Sequence, residues 1–290
     1  MDMSTTTLFI ALLAGLAAGS FMNVIIYRLP AGREELYEDS PYYREGEEQI
    51  RLTLNEPKRS ICPKCKHSLP WKYTIPVISW VLLRGRCAYC SHKIPFRYTF
   101  VELITAALFV LSVSMFGGLT PTSVGVIVFS CALIVISFID YDHYIIPNVI
   151  SIPGVFIGIA LAGLNQFTGI LKWPFAPDLL SSGYGILIGG GFLWLVAFLY
   201  YLIRKTQGLG MGDVKLLAMT GAFLGPEAAY YTILVGSILG SIVGIILIVF
   251  YGKKTTHQIP FGPYLAGATL LYIFTSSHIM TGFEGVLAVR

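Results

Sequence analysis

Apolar residues run along this chain in blocks of about 20, the length a helix needs to cross the hydrocarbon core of a bilayer. Eight such blocks can be drawn, at roughly 6–27, 99–117, 122–140, 147–165, 183–203, 213–225, 228–251 and 259–280. The sixth is short and stops at Gly225-Pro226, so a short or tilted span is predicted there. Lipid offers no partners for open backbone N–H and C=O groups, so each block must be helical. Residues 29–97 break the pattern with the composition of a soluble segment. That segment is acidic from 34 to 48 (Glu34, Glu35, Glu38, Asp39, Glu45, Glu47, Glu48) and carries four cysteines between Ser60 and Arg97. The predicted fold class is an all-α polytopic membrane protein of about eight transmembrane helices with a small cytoplasmic four-cysteine module. Residues 1–28 form the first transmembrane helix, 29–97 a loop with the acidic insertion and the module (60–97), and 98–290 a seven-helix membrane core. No internal repeat and no low-complexity tract stands out.

Composition supports the bilayer as the chain's solvent. Hydrophobic residues make up 55% of the 290 positions and charged ones 12%, against about 25% charged in ordinary soluble domains. At a mean hydropathy of +0.70, the apolar surface could not all be turned inward in water. The first block has no basic stretch before it and no small-residue cleavage site after it, so it is expected to be a retained span.

The net charge of +4 acquires meaning only when divided between the two sides of the membrane. Thirteen of the 20 Lys and Arg residues lie from Arg28 to Arg97. If that loop is cytoplasmic, Arg204, Lys205, Lys215, Lys253 and Lys254 share its side and only Lys172 and Arg290 are left outside. Basic residues near span ends favour the cytoplasm, so both termini are expected outside. The expected surroundings are the lipid bilayer, with no nucleic-acid partner.

Charged side chains at the edges of spans are costly and point to function. Asp140 ends the third block, in Phe138-Ile139-Asp140-Tyr141-Asp142-His143, and Asp213 opens the sixth, after Gly210-Met211-Gly212. They are 73 residues apart, yet the topology puts both at the cytoplasmic boundary. Either alone could be a solvated helix cap, and Asp142 and His143 read as loop residues. Two carboxylates converging on one site tend to share a proton, which suits general acid–base cleavage of a peptide bond. The glycines before Asp213 would let a substrate backbone approach. A helix N-terminus favours the charged form and a helix C-terminus opposes it. Asp213 is therefore expected to be the resting base and Asp140 the proton holder.

Cys62-x2-Cys65 and Cys87-x2-Cys90 are separated by 21 residues, close to the spacing of four-cysteine zinc sites. Four thiolates leave no open coordination position, so a structural zinc is expected. Cytoplasmic thiols stay reduced and available. Cys131 falls mid-span and reads as a packing residue.

Taken together, these features resemble the type IV prepilin leader peptidases. The likeness begins with Gly19-Ser20-Phe21-Met22-Asn23-Val24 and Arg28-Leu29-Pro30, and continues through the four cysteines. Ile75-Pro76-Val77-Ile78-Ser79-Trp80 and Leu83-Arg84-Gly85-Arg86 lie between the cysteine pairs, and Arg97-Tyr98 and Val101-Glu102-Leu103 follow. Asp140 with Ile146-Pro147-Asn148, Gly210 to Leu216, and Pro260-Phe261-Gly262-Pro263-Tyr264 complete it. Thr74 and Thr99 depart from the family pattern, where Asn and Pro are expected.

The resemblance implies a bacterial inner-membrane enzyme whose active site faces the cytoplasm. Such enzymes cut the basic leader from prepilins or type II secretion pseudopilins, and many then methylate the new N-terminal amine with S-adenosylmethionine. It carries catalytic roles to Asp140 (seven residues before the proline, hence not Asp142) and Asp213, and metal ligation to Cys62, Cys65, Cys87 and Cys90. The residues that would bind S-adenosylmethionine stay unassigned. Glu102 could serve methyl transfer or pair with a basic residue in the bundle, while Asn23 and Lys215 suit interhelical hydrogen bonds. The alternatives are a peptidase without methylation, and a transporter or structural part of a secretion machine. The acidic insertion reads as a solvated loop, with attraction of the basic leader as the second reading.

Overall fold

The computed structural model of the chain describes residues 5–31, 58–62, 64–205, 210–252 and 259–287. The acidic insertion at 34–48 lies outside the described residues. Among those residues the regular elements are helical, with two isolated antiparallel bridges, Ile61 to Ser68 and Arg86 to Lys93. The chain divides into two compact units, Met1–Val135 and Ile136–Arg290.

The first unit holds α1 (Thr5–Ala31), a short α2 (Ile78–Leu82), α3 (Arg97–Met115) and the start of α4 (Pro121–His143). Helices α1 and α3 pack together along much of their length. Glycine permits that approach: a Cβ at Gly15 would lie 2.6 Å from Ala106 Cα, and one at Gly19 2.6 Å from Glu102 Cα. Small residues at such a crossing let helix backbones meet in lipid. Ala11, Val113 and Ile127 form a buried cluster beside this contact, and Asn23 Nδ2 donates to the Tyr98 carbonyl at 2.9 Å. Helix α4 begins at Pro121, where a missing N–H costs nothing, with Thr120 Oγ1 accepting from the Ser123 amide at 3.1 Å as a cap.

The second unit is built around α8 (Met211–Tyr251), which packs on α5 (Asn148–Thr168), α6 (Leu179–Ile186), a π-turn at Leu187–Gly191, and α9 (Gly262–Leu287). Helix α7 (Phe192–Arg204) continues from the π-turn. The close side of α8 is a seam of small residues. Gly185 and Gly221 sit back to back, Gly189 faces the Leu217 carbonyl, and a Cβ at Gly158 would meet Ala222 Cβ at 2.8 Å. Leu216, Leu217, Met219 and Ala222 are buried along it. At Gly225 the backbone takes φ 84° and Pro226 follows. Glycine tolerates that conformation and proline cannot donate to the helix ladder, so α8 kinks there.

Six helices are long and apolar enough to cross a membrane, among the described residues: 5–30, 97–115, 121–143, 148–168, 179–204 and 211–251. One of these, α8, joins the sixth and seventh predicted blocks across the Gly225 kink. The eighth block corresponds to α9. Large apolar side chains face outward along α7 and the second half of α8, with Ile203, Ile245 and Phe250 all exposed, as lipid-facing surfaces require.

Candidate active site and metal centre

Two carboxylates meet in the second unit. Asp140 lies in the last turn of α4, which ends where the Tyr144 N–H donates to the Asp140 carbonyl at 2.8 Å and Tyr144 turns to φ 55°. Asp213 lies in the first turn of α8, its N–H donating to the Gly210 carbonyl at 3.1 Å. Asp140 and Asp213 lie close enough for the charge state of one to bear on the other, so these two distant span ends meet in space. Asp140 is buried at 5% exposure, whereas Asp142 is exposed. That contrast supports the choice of Asp140 between the two.

A third participant comes from α9. The Gly262 N–H donates to Asp140 Oδ2 at 2.8 Å. No side chain fits at that position without disturbing the carboxylate. A Cβ built on Gly262 would lie 2.7 Å from Oδ2, 3.0 Å from Cγ and 3.1 Å from Cβ of Asp140. Within Pro260-Phe261-Gly262-Pro263-Tyr264 no residue carries a chemical group that marks this part in the sequence. The available signal was a glycine between two prolines, one span end away from both aspartates.

The glycines preceding Asp213 have structural neighbours of their own. A Cβ at Gly210 would sit 3.1 Å from Asp213 Oδ2, and one at Gly212 would sit 2.9 Å from Ile146 Cβ. Close packing within the site thus gives a reason for both, beside the expected approach of substrate. Lys215 Nζ donates to Asn148 Oδ1 at 2.8 Å, an interhelical hydrogen bond of the kind expected of it.

The first unit carries a separate cluster. The sulfurs of Cys62, Cys65, Cys87 and Cys90 all lie within 4.8 Å of one another, with Cys62 and Cys90 Sγ 3.7 Å apart. Bonds of about 2.3 Å from a tetrahedral metal would place sulfurs about 3.8 Å apart, so the cluster fits a metal ion. The two halves share one design. The Cys62 N–H donates to the His67 carbonyl at 3.0 Å and the Lys66 N–H returns to the Cys62 carbonyl at 2.8 Å. Cys87 donates to His92 at 2.8 Å and Ser91 to Cys87 at 3.0 Å. Lys66 and Ser91 both take the left-handed conformation, at φ 53° and 54°. The sequence does contain a short internal repeat here, Cys-x2-Cys-x-His, contrary to the expectation of no internal repeat. Burial pushes the Cys62 thiol up to about 12. At Cys87 burial acts the same way, but the Cys90 and Tyr89 amides outweigh it and bring the thiol down to about 7. A bound cation would favour the thiolate at every position.

Comparison with known proteins decides the family. Residues 13–116, which include all four cysteines, match the Bacterial Peptidase A24 N-terminal domain. Residues 127–245, which include both aspartates, match the Type IV leader peptidase family. A Pseudomonas putida protein described as a prepilin leader peptidase/N-methyltransferase is 32% identical over 277 residues, covering 93% of this chain and 91% of its own. This chain belongs to the type IV leader peptidase family. Relatives of the same description from Xanthomonas campestris pv. campestris (34% over 284 residues, 95% of this chain and 94% of the relative) and Aeromonas salmonicida (35% over 262 residues, 88% and 86%) are similar along the same length. No solved structure matches the chain. The family membership that the motifs implied is therefore established, and the leader peptidase match ends before Gly262.

Proposed function

We propose that the chain is a two-activity membrane enzyme: it cuts the basic leader from prepilins or pseudopilins through Asp140 and Asp213, then methylates the new N-terminal amine with S-adenosylmethionine. The observation that carries the peptidase half is the meeting of Asp140 and Asp213 inside the segment that matches the leader peptidase family. The names of relatives aligned over most of the chain carry the methylation half.

The ionised carboxylate of the pair takes a proton from water as the water oxygen bonds to the peptide carbonyl carbon. The protonated carboxyl polarises the carbonyl oxygen and passes its proton there. The tetrahedral adduct collapses by breaking the carbon–nitrogen bond, with a proton returned to the leaving nitrogen. With Asp213 as base and Asp140 as acid, the Gly262 amide has a defined part. It occupies Oδ2 of Asp140, which leaves Oδ1 to hold the proton in this assignment. Zinc is the metal we assign to the cysteine cluster, because four thiolates suit it and close its coordination shell. Its part is structural.

The membrane arrangement we assign is eight crossings with the aspartates at the cytoplasmic face. Helix α8 has 41 residues, about 60 Å at 1.5 Å per residue, twice a hydrocarbon core of about 30 Å. Its kink at Gly225 divides it into two crossings, and α9 supplies the eighth. This puts the scissile bond of a membrane-anchored substrate, between its basic leader and its apolar helix, level with the carboxylates.

The test is incubation of the purified chain with a prepilin and S-adenosylmethionine, followed by mass spectrometry of the product. Loss of the leader together with the mass gain of one methyl group is expected. Cleavage without that gain makes the chain a peptidase alone, and an uncut prepilin refutes the proposal.

A further inference from the structure

The first unit contains a cavity of about 310 Å³, at the lower end of the range of about 300–1,000 Å³ typical of small-molecule sites. Its walls come from α1, the cysteine module and the start of α3. Three features give it the character of a built site.

Glu102, on α3, is the one carboxylate lining it among the described residues, and the side chain is buried at 8% exposure. The Val77 N–H donates to Glu102 Oε2 at 2.7 Å, and the Ser20 hydroxyl is a second donor. Val77 is held at φ 61°, a conformation that a β-branched residue adopts only where its surroundings enforce it. The carboxylate is thus fixed in place in the wall.

Thr99, three positions earlier on the same helix, is buried at 3% exposure and lines the cavity. Its hydroxyl has no hydrogen-bond partner among the described residues. A buried hydroxyl left unpaired costs free energy, so a ligand that bonds to it would recover that loss. Trp80 supplies an aromatic wall, anchored by its Nε1–H donating to the Ile94 carbonyl at 3.1 Å and by an edge contact with Phe96 at 5.5 Å. Its ring lies over Gly85, where a Cβ would come within 2.9 Å.

A positioned carboxylate, an unpaired hydroxyl and an aromatic face suit a ligand that joins a positive charge to a flat base and hydroxyl groups. We propose that this cavity binds the methyl donor, S-adenosylmethionine, with Glu102, Thr99 and Trp80 as binding residues. The assignment rests on the methyl-transfer half of the proposed function and gives that activity a place. The donor supplies a methyl carbon: the substrate amine's lone pair forms the new nitrogen–carbon bond as the carbon–sulfur bond breaks, its electron pair stays on sulfur, and nitrogen releases a proton to water. Arg28 and Lys93, also in the wall, complement the carboxylate of the donor's amino-acid part.

Two measurements on the full chain in nanodiscs test this. In the first, tritiated S-adenosylmethionine is crosslinked to the unaltered chain by ultraviolet light and the labelled peptide is mapped. Label on the segment containing Trp80 is expected, and label confined to residues 136–290 overturns the assignment. In the second, the donor's Kd is measured for Glu102→Gln and Thr99→Val. Weakening of tenfold or more for Glu102→Gln and of about threefold or more for Thr99→Val is expected, and a native Kd in both overturns the assignment. A chain that neither binds the donor nor methylates cleaved pilin overturns the methyl-transfer reading and this one with it. A chain that methylates but carries its label elsewhere overturns the location alone.

Discussion

Replacing Gly262 with alanine exchanges one hydrogen for a methyl group, and it should disable the aspartate pair. The backbone at Gly262 is not in the left-handed region, so alanine brings no conformational strain of its own. It brings a Cβ 2.7 Å from Asp140 Oδ2, where ordinary contact begins at 3.4 Å or more. Rotating the carboxylate does not relieve the crowding, because Cγ and Cβ of Asp140 are also within 3.1 Å. The whole side chain must retreat by about half an ångström or more, and the 2.8 Å bond from the Gly262 amide stretches with it. Loss of a hydrogen bond to a neutral carboxyl costs about 0.5–1.5 kcal/mol, which is roughly 2- to 12-fold in rate at about 1.4 kcal/mol per decade. Misplacement of a reacting group by about 1 Å costs about 100-fold by an independent route. The assay is the initial rate of prepilin cleavage by purified enzyme, read as kcat/KM. Gly267→Ala in the same helix is the control, since its Cβ meets nothing within 4 Å, and it should cleave within twofold of the native rate. Gly262→Ala cleaving as fast as that control would refute the reasoning.

Two further outcomes follow from the same geometry. Isotope-edited infrared spectra at working pH should show a protonated carboxyl band that disappears in Asp140→Asn; a band that disappears in Asp213→Asn instead would reverse the two roles. Metal analysis should find about one zinc per chain, and Cys62→Ser or Cys87→Ser should lose it together with several degrees of thermal stability, because metal binding by such modules is coupled to folding; a metal-free chain of unchanged stability would dismiss the metal centre.

The helical architecture was legible because most apolar blocks are long and the bilayer accepts only closed backbone hydrogen bonding; the span count was not, since among the described residues six helices, not eight, are long and apolar enough to cross. The cysteine cluster was legible because two residue pairs at metal-ligand spacing carry their own geometry. The pairing of Asp140 with Asp213 was legible for a less direct reason, namely that counting basic residues assigns two distant span ends to the same expected side of the membrane. Gly262 was not legible, because its part depends on which helix end packs against Asp140, and hydropathy is silent on packing. The seam of Gly185, Gly189 and Gly221 escaped for the same cause. The Thr99 hydroxyl in the first unit's cavity shows the limit most sharply. In the sequence it is a departure from the family pattern, and only its burial without a partner gives it chemical content.

The central claim is that one aspartate from each of two helices cuts the prepilin, and single substitutions measure it most directly. Purified Asp140→Asn and Asp213→Asn, each folded and each retaining its metal, are to be incubated with prepilin and compared with the unaltered chain by mass spectrometry. The account expects leader removal by the unaltered chain and a loss of at least a thousandfold in each variant, since a pair that shares one proton fails when either member is neutralised. Native-rate cleavage by either variant would contradict it.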